Sequence, residues 1–328
     1  MKKRGWVRAG MEYYLGVDLG GTNIVAGVVD ENCEIIAKHS APANAHRPFE
    51  EVVAAIARTA RGAAEKASIS MGDIAYVGIG APGSVNQKTN LLVNSNNFGW
   101  KNVPFHAELK KHFDLPFFVN NDASCAALGE AFAGAARDYN NAVMITLGTG
   151  VGGGIILNKR IFRGGDHLAE FGHFAFVFDG ELCTCGLRGC LEAYASATAL
   201  INQTKEAIKK HPESLLCALC GNDLDRVEAK TAFDAMARGD RVAAQVVDRY
   251  ISYVAAGVGS FITMFRPEVV IIGGGVSNAG EALMGPLTQK AAKAAFASDE
   301  VGIPPIVLAE LGNDAGIIGA AMLGRMGR

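Results

Sequence analysis

Val17-Asp18-Leu19-Gly20 and Ile145-Thr146-Leu147-Gly148 are the two stretches whose reading decides the fold. Each closes an apolar strand-like run at a glycine, after which a second β-rich run begins. Residues 13–18 lead through Gly20-Gly21 into 24–29, and residues 142–147 lead through the glycine loop 148–154 into 155–157. One strand–glycine-turn–strand unit is therefore used twice, and each copy leads into alternating helical and strand-like runs. After the first come a possible third strand at 34–39, a helical spacing at 49–66, a buried strand at 74–80, a helix at 107–112, a strand at 117–120 and a helix at 123–136. After the second come helical spacings at 191–210, 241–265, 281–297 and 314–325, with a buried strand at 269–272 and an unpatterned, loop-like stretch at 211–230. Two such halves predict an α/β protein of two similar lobes with a cleft between them. The expected division is an extension at 1–10, a small lobe at 11–121 completed by the C-terminal helix from about 314 to 328, and a large lobe at 122–313.

Composition narrows the function. The 328 residues carry 31 Lys+Arg against 33 Asp+Glu, a net charge of -2, which argues against nucleic acid as the main partner. No apolar run reaches the ~20 residues that span a bilayer, and the basic start has no apolar segment behind it, so neither a membrane anchor nor a signal peptide is expected. Forty glycines clustered between apolar runs point to tight turns and close backbone approach. Seven cysteines, three of them within 183–190, suit a cytoplasmic protein with a metal site better than a disulfide framework.

The two glycine turns have the chemistry of phosphate cradles. In the first, the backbone of Gly20, Gly21, Thr22 and Asn23 can turn N–H groups toward phosphate oxygens. The Thr22 hydroxyl adds a donor, and Asp18 can hold Mg²⁺ through water. In the second, Gly148, Thr149, Gly150 and Gly152 form a nest of the same kind. Neither fits the Walker or Rossmann pattern. Either alone reads equally well as a plain glycine hairpin, but two copies at corresponding places weigh against that. Gly273-Gly274-Gly275, after a buried strand, is a third loop where α/β sheets hold ligands.

His173, Cys183, Cys185 and Cys190 form H-x9-C-x-C-x4-C, a complete tetrahedral set for one structural Zn²⁺ with no position left for a catalytic water. Cys217-x-x-Cys220, Cys33 and Cys125 read as incidental. Glu170 and Glu192 flank the cluster. With one ring nitrogen of His173 on the metal, the other carries hydrogen and can donate to a sugar hydroxyl, while the two glutamates accept from its neighbours. Each glutamate taken alone is as readily an ordinary surface charge. Asp122, at a strand end before a helix, fits both a helix N-cap and the base that accepts a proton from an attacking hydroxyl. Spacing leaves both readings open.

Asp18-Leu19-Gly20-Gly21-Thr22, Gly80-Ala81-Pro82-Gly83, Asn97-x-Gly99-Trp100, Asn120-Asn121-Asp122, Leu147-Gly148-Thr149-Gly150-x-Gly152-Gly153-Gly154, Glu170-x-Gly172-His173 and Cys183-x-Cys185-Gly186-x-x-Gly189-Cys190-x-Glu192 occur in that order. Together they resemble the ROK family of bacterial sugar kinases from about residue 13 to the C-terminus. The resemblance implies an actin/hexokinase-like (ribonuclease H-like) fold, a homodimer or homotetramer, and phosphate transfer from Mg²⁺·ATP to a hexose. Glucose at its 6-hydroxyl is the first substrate to expect, with N-acetylmannosamine, allose or fructose as alternatives. It implies Asp122 as base, Asn121, Glu170, His173 and Glu192 on sugar hydroxyls, and Asn97 at the sugar's far side or as a spectator. It places ATP phosphates on the two glycine turns and adenosine near Gly273–Gly275. Ala169 departs from the pattern, standing where many members have glycine. A sugar-sensing regulator without turnover is the competing class. The dozen residues before the first strand leave no room for the helix-turn-helix arm of ROK repressors.

Overall fold

In a computed structural model of the protein, residues 11–86, 88–95, 98–165 and 170–326 are described. The strands are β1 (Tyr13–Leu19), β2 (Asn23–Asp30), β3 (Ile35–Pro42), β4 (Ile74–Ala81), β5 (Ser84–Val85), β6 (Leu92–Ser95), β7 (Trp100–Val103), β8 (Phe117–Asn121), β9 (Ala142–Leu147), β10 (Val151–Leu157), β11 (Arg160–Ile161), β12 (Val269–Gly273) and β13 (Ile306–Leu308). They make one five-stranded sheet of order β3-β2-β1-β4-β8 and a second of order β11-β10-β9-β12-β13, besides the small sheet β5-β6-β7.

The two large sheets repeat one topology. In the first, β1 pairs in parallel with β4, and β4 with β8. In the second, β9 pairs in parallel with β12, and β12 with β13. The turn between β1 and β2 spans 20–22 and that between β9 and β10 spans 148–150, each three residues. Asp18 lies opposite Gly80 where Thr146 lies opposite Gly273, so strand ends match as well as order. The duplication read from the glycine turns is thus a duplication of whole sheets.

Packing contacts divide the chain into two units, the first from Met1–Asn141, Gly154–Ala169 and Glu310–Arg328, the second from Ala142–Gly153 and Glu170–Ala309. This differs from the sequence expectation by assigning 122–141, 154–169 and 310–313 to the first unit. Glycine explains the grouping of the helix Asp122–Ala133 with the helix Ala315–Met322. A Cβ on Gly319 would stand 1.6 Å from the Cys125 carbonyl oxygen, and one on Gly129 would stand 2.2 Å from that of Ala315. The same C-terminal helix lies on the sheet, where a Cβ on Gly78 would meet the Ala320 oxygen at 1.7 Å. Opposite it, the helix Phe49–Ala67 buries Val52, Val53, Ile56, Ala57, Ala60 and Ala63. Its Glu50 and Glu51 suit the positive helix end. In the second unit, the helix Arg241–Phe265 buries one face along its 25 residues, with Asp240 as its N-cap.

Several expected elements change in extent. The loop expected at 148–154 ends at Gly150, and Gly152–Gly154 belong to β10. Gly153 and Gly154 serve packing, since a Cβ on Gly153 would meet the Met144 oxygen at 2.2 Å and one on Gly154 the Ala127 side chain at 2.6 Å. The single helix expected at 191–210 is two, Glu192–Ala195 and Ala197–Lys210, because the Ser196 hydroxyl accepts from the Ala199 N–H and starts a new helix. The helix expected at 107–112 is the five-residue turn Phe105–Leu109. The stretch 211–230 contains the helix Leu215–Leu219, and a further helix follows at Ala229–Ala237.

Candidate active site

In the first unit, β1 and β8 bring two carboxylates to the same sheet edge. Asp18 is the penultimate residue of β1, and Asp122 is the first residue of the helix that follows β8. The N-cap is Asn121, whose Oδ1 accepts from the Ser124 N–H at 3.1 Å while its Nδ2 donates to the Gly83 carbonyl at 3.2 Å. Capping is therefore not the task of Asp122. Its Oδ1 accepts the adjacent Ala123 N–H, at 2.8 Å. Burial, and then the charge of Asp122, push the pKa of Asp18 from 3.8 up to about 7. Burial likewise raises Asp122, against the hydrogen bonds that favour its ionised form. Gly316 makes room for this pair, since a Cβ there would stand 2.7 Å from Asp18 Oδ2. Beneath lies the fully buried Cys125, whose thiol is held well above its ordinary range by burial and by both carboxylates, with Arg163 opposing them.

The first glycine turn is closed by a bond from the Gly20 N–H to the Asn23 carbonyl at 2.9 Å. Its counterpart in the second unit is closed from the Gly148 N–H to the Gly150 carbonyl at 3.0 Å. Both first glycines therefore spend their N–H groups inside the turn. The carbonyls of the second turn are held from behind: the Ala197 N–H donates to the Gly148 oxygen at 2.8 Å and the Thr198 hydroxyl to the Thr149 oxygen at 2.7 Å. The loop after β12 approaches the same place, because Gly274, at φ +84°, has the Leu147 backbone 2.6 Å from where a Cβ would stand. Only glycine suits that position.

The second unit also holds the cysteine cluster. The ligand atoms of His173, Cys183, Cys185 and Cys190 all lie within 4.8 Å of one another. His173 presents Nδ1, 3.6 Å from the Cys183 sulfur, and the Cys185 and Cys190 sulfurs are 3.7 Å apart. Gly189, at φ +76°, lets the loop double back where a Cβ would meet the Val177 carbonyl oxygen at 1.7 Å. Burial and the crowded neighbouring thiols push the Cys190 thiol up to about 12, and Cys183 moves the same way. Such a set favours a cation, which converts the thiols to thiolates.

Glu192 is bonded through both carboxylate oxygens within the second unit. Its Oε2 accepts the Val151 N–H at 3.0 Å and its Oε1 the Thr184 hydroxyl at 2.9 Å. Glu170, exposed, opens the 3₁₀ turn Phe171–His173, and a Cβ on Gly172 would meet the Val151 carbonyl oxygen at 2.3 Å. Thr184, Thr198, Gly316 and Arg163 adjoin the candidate groups and were missed by sequence reasoning. The C-T-C context of Thr184 was the only available signal among them. Asn97 and Ala169 lie outside the described residues, as do residues 1–10.

The family profile described as ROK matches residues 14–326. The chain belongs to the ROK family. It is 41% identical over 312 residues to a glucokinase of Thermotoga maritima, covering 94% of this chain and 96% of that one. A glucokinase of Streptomyces coelicolor is 37% identical over 315 residues, with 95% and 97% covered. A ROK family glucokinase of Streptomyces griseus, solved with glucose and AMPPNP, superposes with a TM-score of 0.81 at 36% identity, covering 95% of this chain and 99% of that one. The duplicated sheet is accordingly the actin/hexokinase-like fold of ROK kinases. Among the described residues, no helix is long and apolar enough to cross a membrane.

Proposed function

We propose that this ROK chain is a glucokinase-type enzyme that transfers the γ-phosphate of ATP to the 6-hydroxyl of glucose. The observation that carries the chemistry is the buried carboxylate pair Asp18 and Asp122, both raised in pKa and with capping left to Asn121. Asp122 accepts the proton of the attacking hydroxyl, and its raised pKa brings it nearer the operating pH of a base. Two carboxylates short of counter-charge fit a divalent cation, so Asp18 is the residue that would hold the Mg²⁺ accompanying ATP. The metal supplies charge neutralisation at the phosphates, and positioning supplies most of the remaining rate enhancement.

Glu170, Glu192 and the Nε2–H of His173 take sugar hydroxyls in this reading, with Asn121 adding its amide. The cysteine cluster fits structural zinc. Two sulfurs bound at ~2.3 Å to a tetrahedral centre stand ~3.8 Å apart, against 3.7 Å for Cys185 and Cys190. The four residues would fill every position of a tetrahedral zinc, which would hold His173 by Nδ1, leave Nε2 as donor and take no part in the reaction. Phosphates go to the glycine turns at 20–23 and 148–150, with Gly152 following the second turn in β10, and adenosine goes to Gly273–Gly275. The family's homodimer or homotetramer and its cytoplasmic setting are adopted with the same reading.

ADP release measured across glucose, fructose, allose, N-acetylmannosamine and N-acetylglucosamine tests it. Glucose should give the highest kcat/KM. A preferred N-acetylhexosamine would move the chain to another ROK specificity, and no turnover with any sugar would favour the regulator class.

A further inference from the structure

We propose that Glu192 couples nucleotide binding to hexose binding, with Thr184 as its positioning residue. The inference rests on the kinase reading above and concerns residues of the second unit alone. Val151 directly follows the phosphate turn 148–150, and both of its backbone polar groups face sugar-binding segments. Its N–H donates to Glu192 Oε2 at 3.0 Å, and its carbonyl oxygen lies where a Cβ on Gly172, next to His173, would come within 2.3 Å. Thr184 secures the other carboxylate oxygen from inside the cysteine loop, at 2.9 Å. The Glu192 carboxylate thus spans the nucleotide turn and the metal loop, two segments distant in sequence.

A carboxylate has about four acceptor positions, so Glu192 can accept a sugar hydroxyl while keeping these two bonds. Phosphate drawn into the turn shifts Val151 and changes its bond to Oε2. A hydroxyl on the same carboxylate changes that bond in turn. Each ligand therefore alters the other's affinity by one common factor, as linkage requires. Gly150 is part of the device, because a Cβ there would stand 2.2 Å from Glu192 Oε2 and lever the carboxylate off the turn.

The test is calorimetric titration of glucose into the intact protein, with and without a saturating non-hydrolysable ATP analogue. The ratio of the two glucose Kd values should be at least ~5 in the wild type. Thr184→Val should bring it toward one with zinc content unchanged, and Thr184→Ser, which keeps the hydroxyl, should restore it. Gly150→Ala, which replaces no residue of the cysteine loop, should also bring it toward one. A wild-type ratio of one overturns the proposal, as does an unchanged ratio in either Thr184→Val or Gly150→Ala. Absence of glucose binding in the analogue-free wild-type titration overturns the glucose reading on which the proposal rests, and is distinguished by that arm alone.

Discussion

Asp18→Asn should flatten the pH dependence of stability. In the folded chain Asp18 titrates at about 7 against an ordinary 3.8, so between these values the folded protein binds more protons than the unfolded one. The stabilisation is complete below the unfolded pKa and is lost as pH rises through the folded one. Between about pH 5 and about pH 8 roughly two pH units of that window are crossed, worth ~3 kcal/mol at ~1.4 kcal/mol per unit. For a chain of this size that is a fall in Tm of roughly 4 °C. The asparagine variant carries no charge to desolvate, so its Tm should change less over the same range, by about that amount. Scanning calorimetry of both proteins without Mg²⁺ or nucleotide measures the difference. Parallel Tm profiles would refute the argument that the site stores an uncompensated carboxylate. Saturating Mg²⁺·ADP should recover most of the loss in the wild type only, since a cation beside Asp18 favours its ionised form.

Gly319→Ala should destabilise the first unit by more than ~3 kcal/mol, because the new methyl falls 1.6 Å from the Cys125 carbonyl oxygen. The control Gly165→Ala, with nothing among the described residues within 4 Å, should stay within ~0.5 kcal/mol in the same denaturant titration. Metal analysis should find about one zinc per chain, and Cys185→Ser should lower both zinc content and glucose affinity. A zinc-free protein with normal glucose affinity would remove the metal from the account of His173.

What was legible in the sequence was the part set by local periodicity. Strand β9 and the helix Arg241–Phe265 were read to the residue, because each is bounded by its own turn or cap. The glycine turns were legible as a repeated unit, and the repeat proved to be two whole sheets. The place of Gly152 in the strand rather than the turn was not legible. Only the tertiary contacts of its neighbours Gly153 and Gly154 show that this run serves a strand packed against other backbone. The break at Ser196 hid inside a continuous helical spacing because one hydroxyl outweighs it. Glu192 was found as a site residue, but its bonds to Val151 and Thr184 join segments that no spacing rule links. The change in Asp18 was also out of reach, since it comes from burial and from a carboxylate more than a hundred residues away in sequence.

Steady-state kinetics of Asp122→Asn, with glucose affinity measured separately, bear most directly on the central claim. Loss of the base predicts a fall in kcat on the order of 10³-fold with glucose Kd within about twofold of wild type. Turnover within about threefold of wild type would contradict the assignment of Asp122 and with it the proposed mechanism.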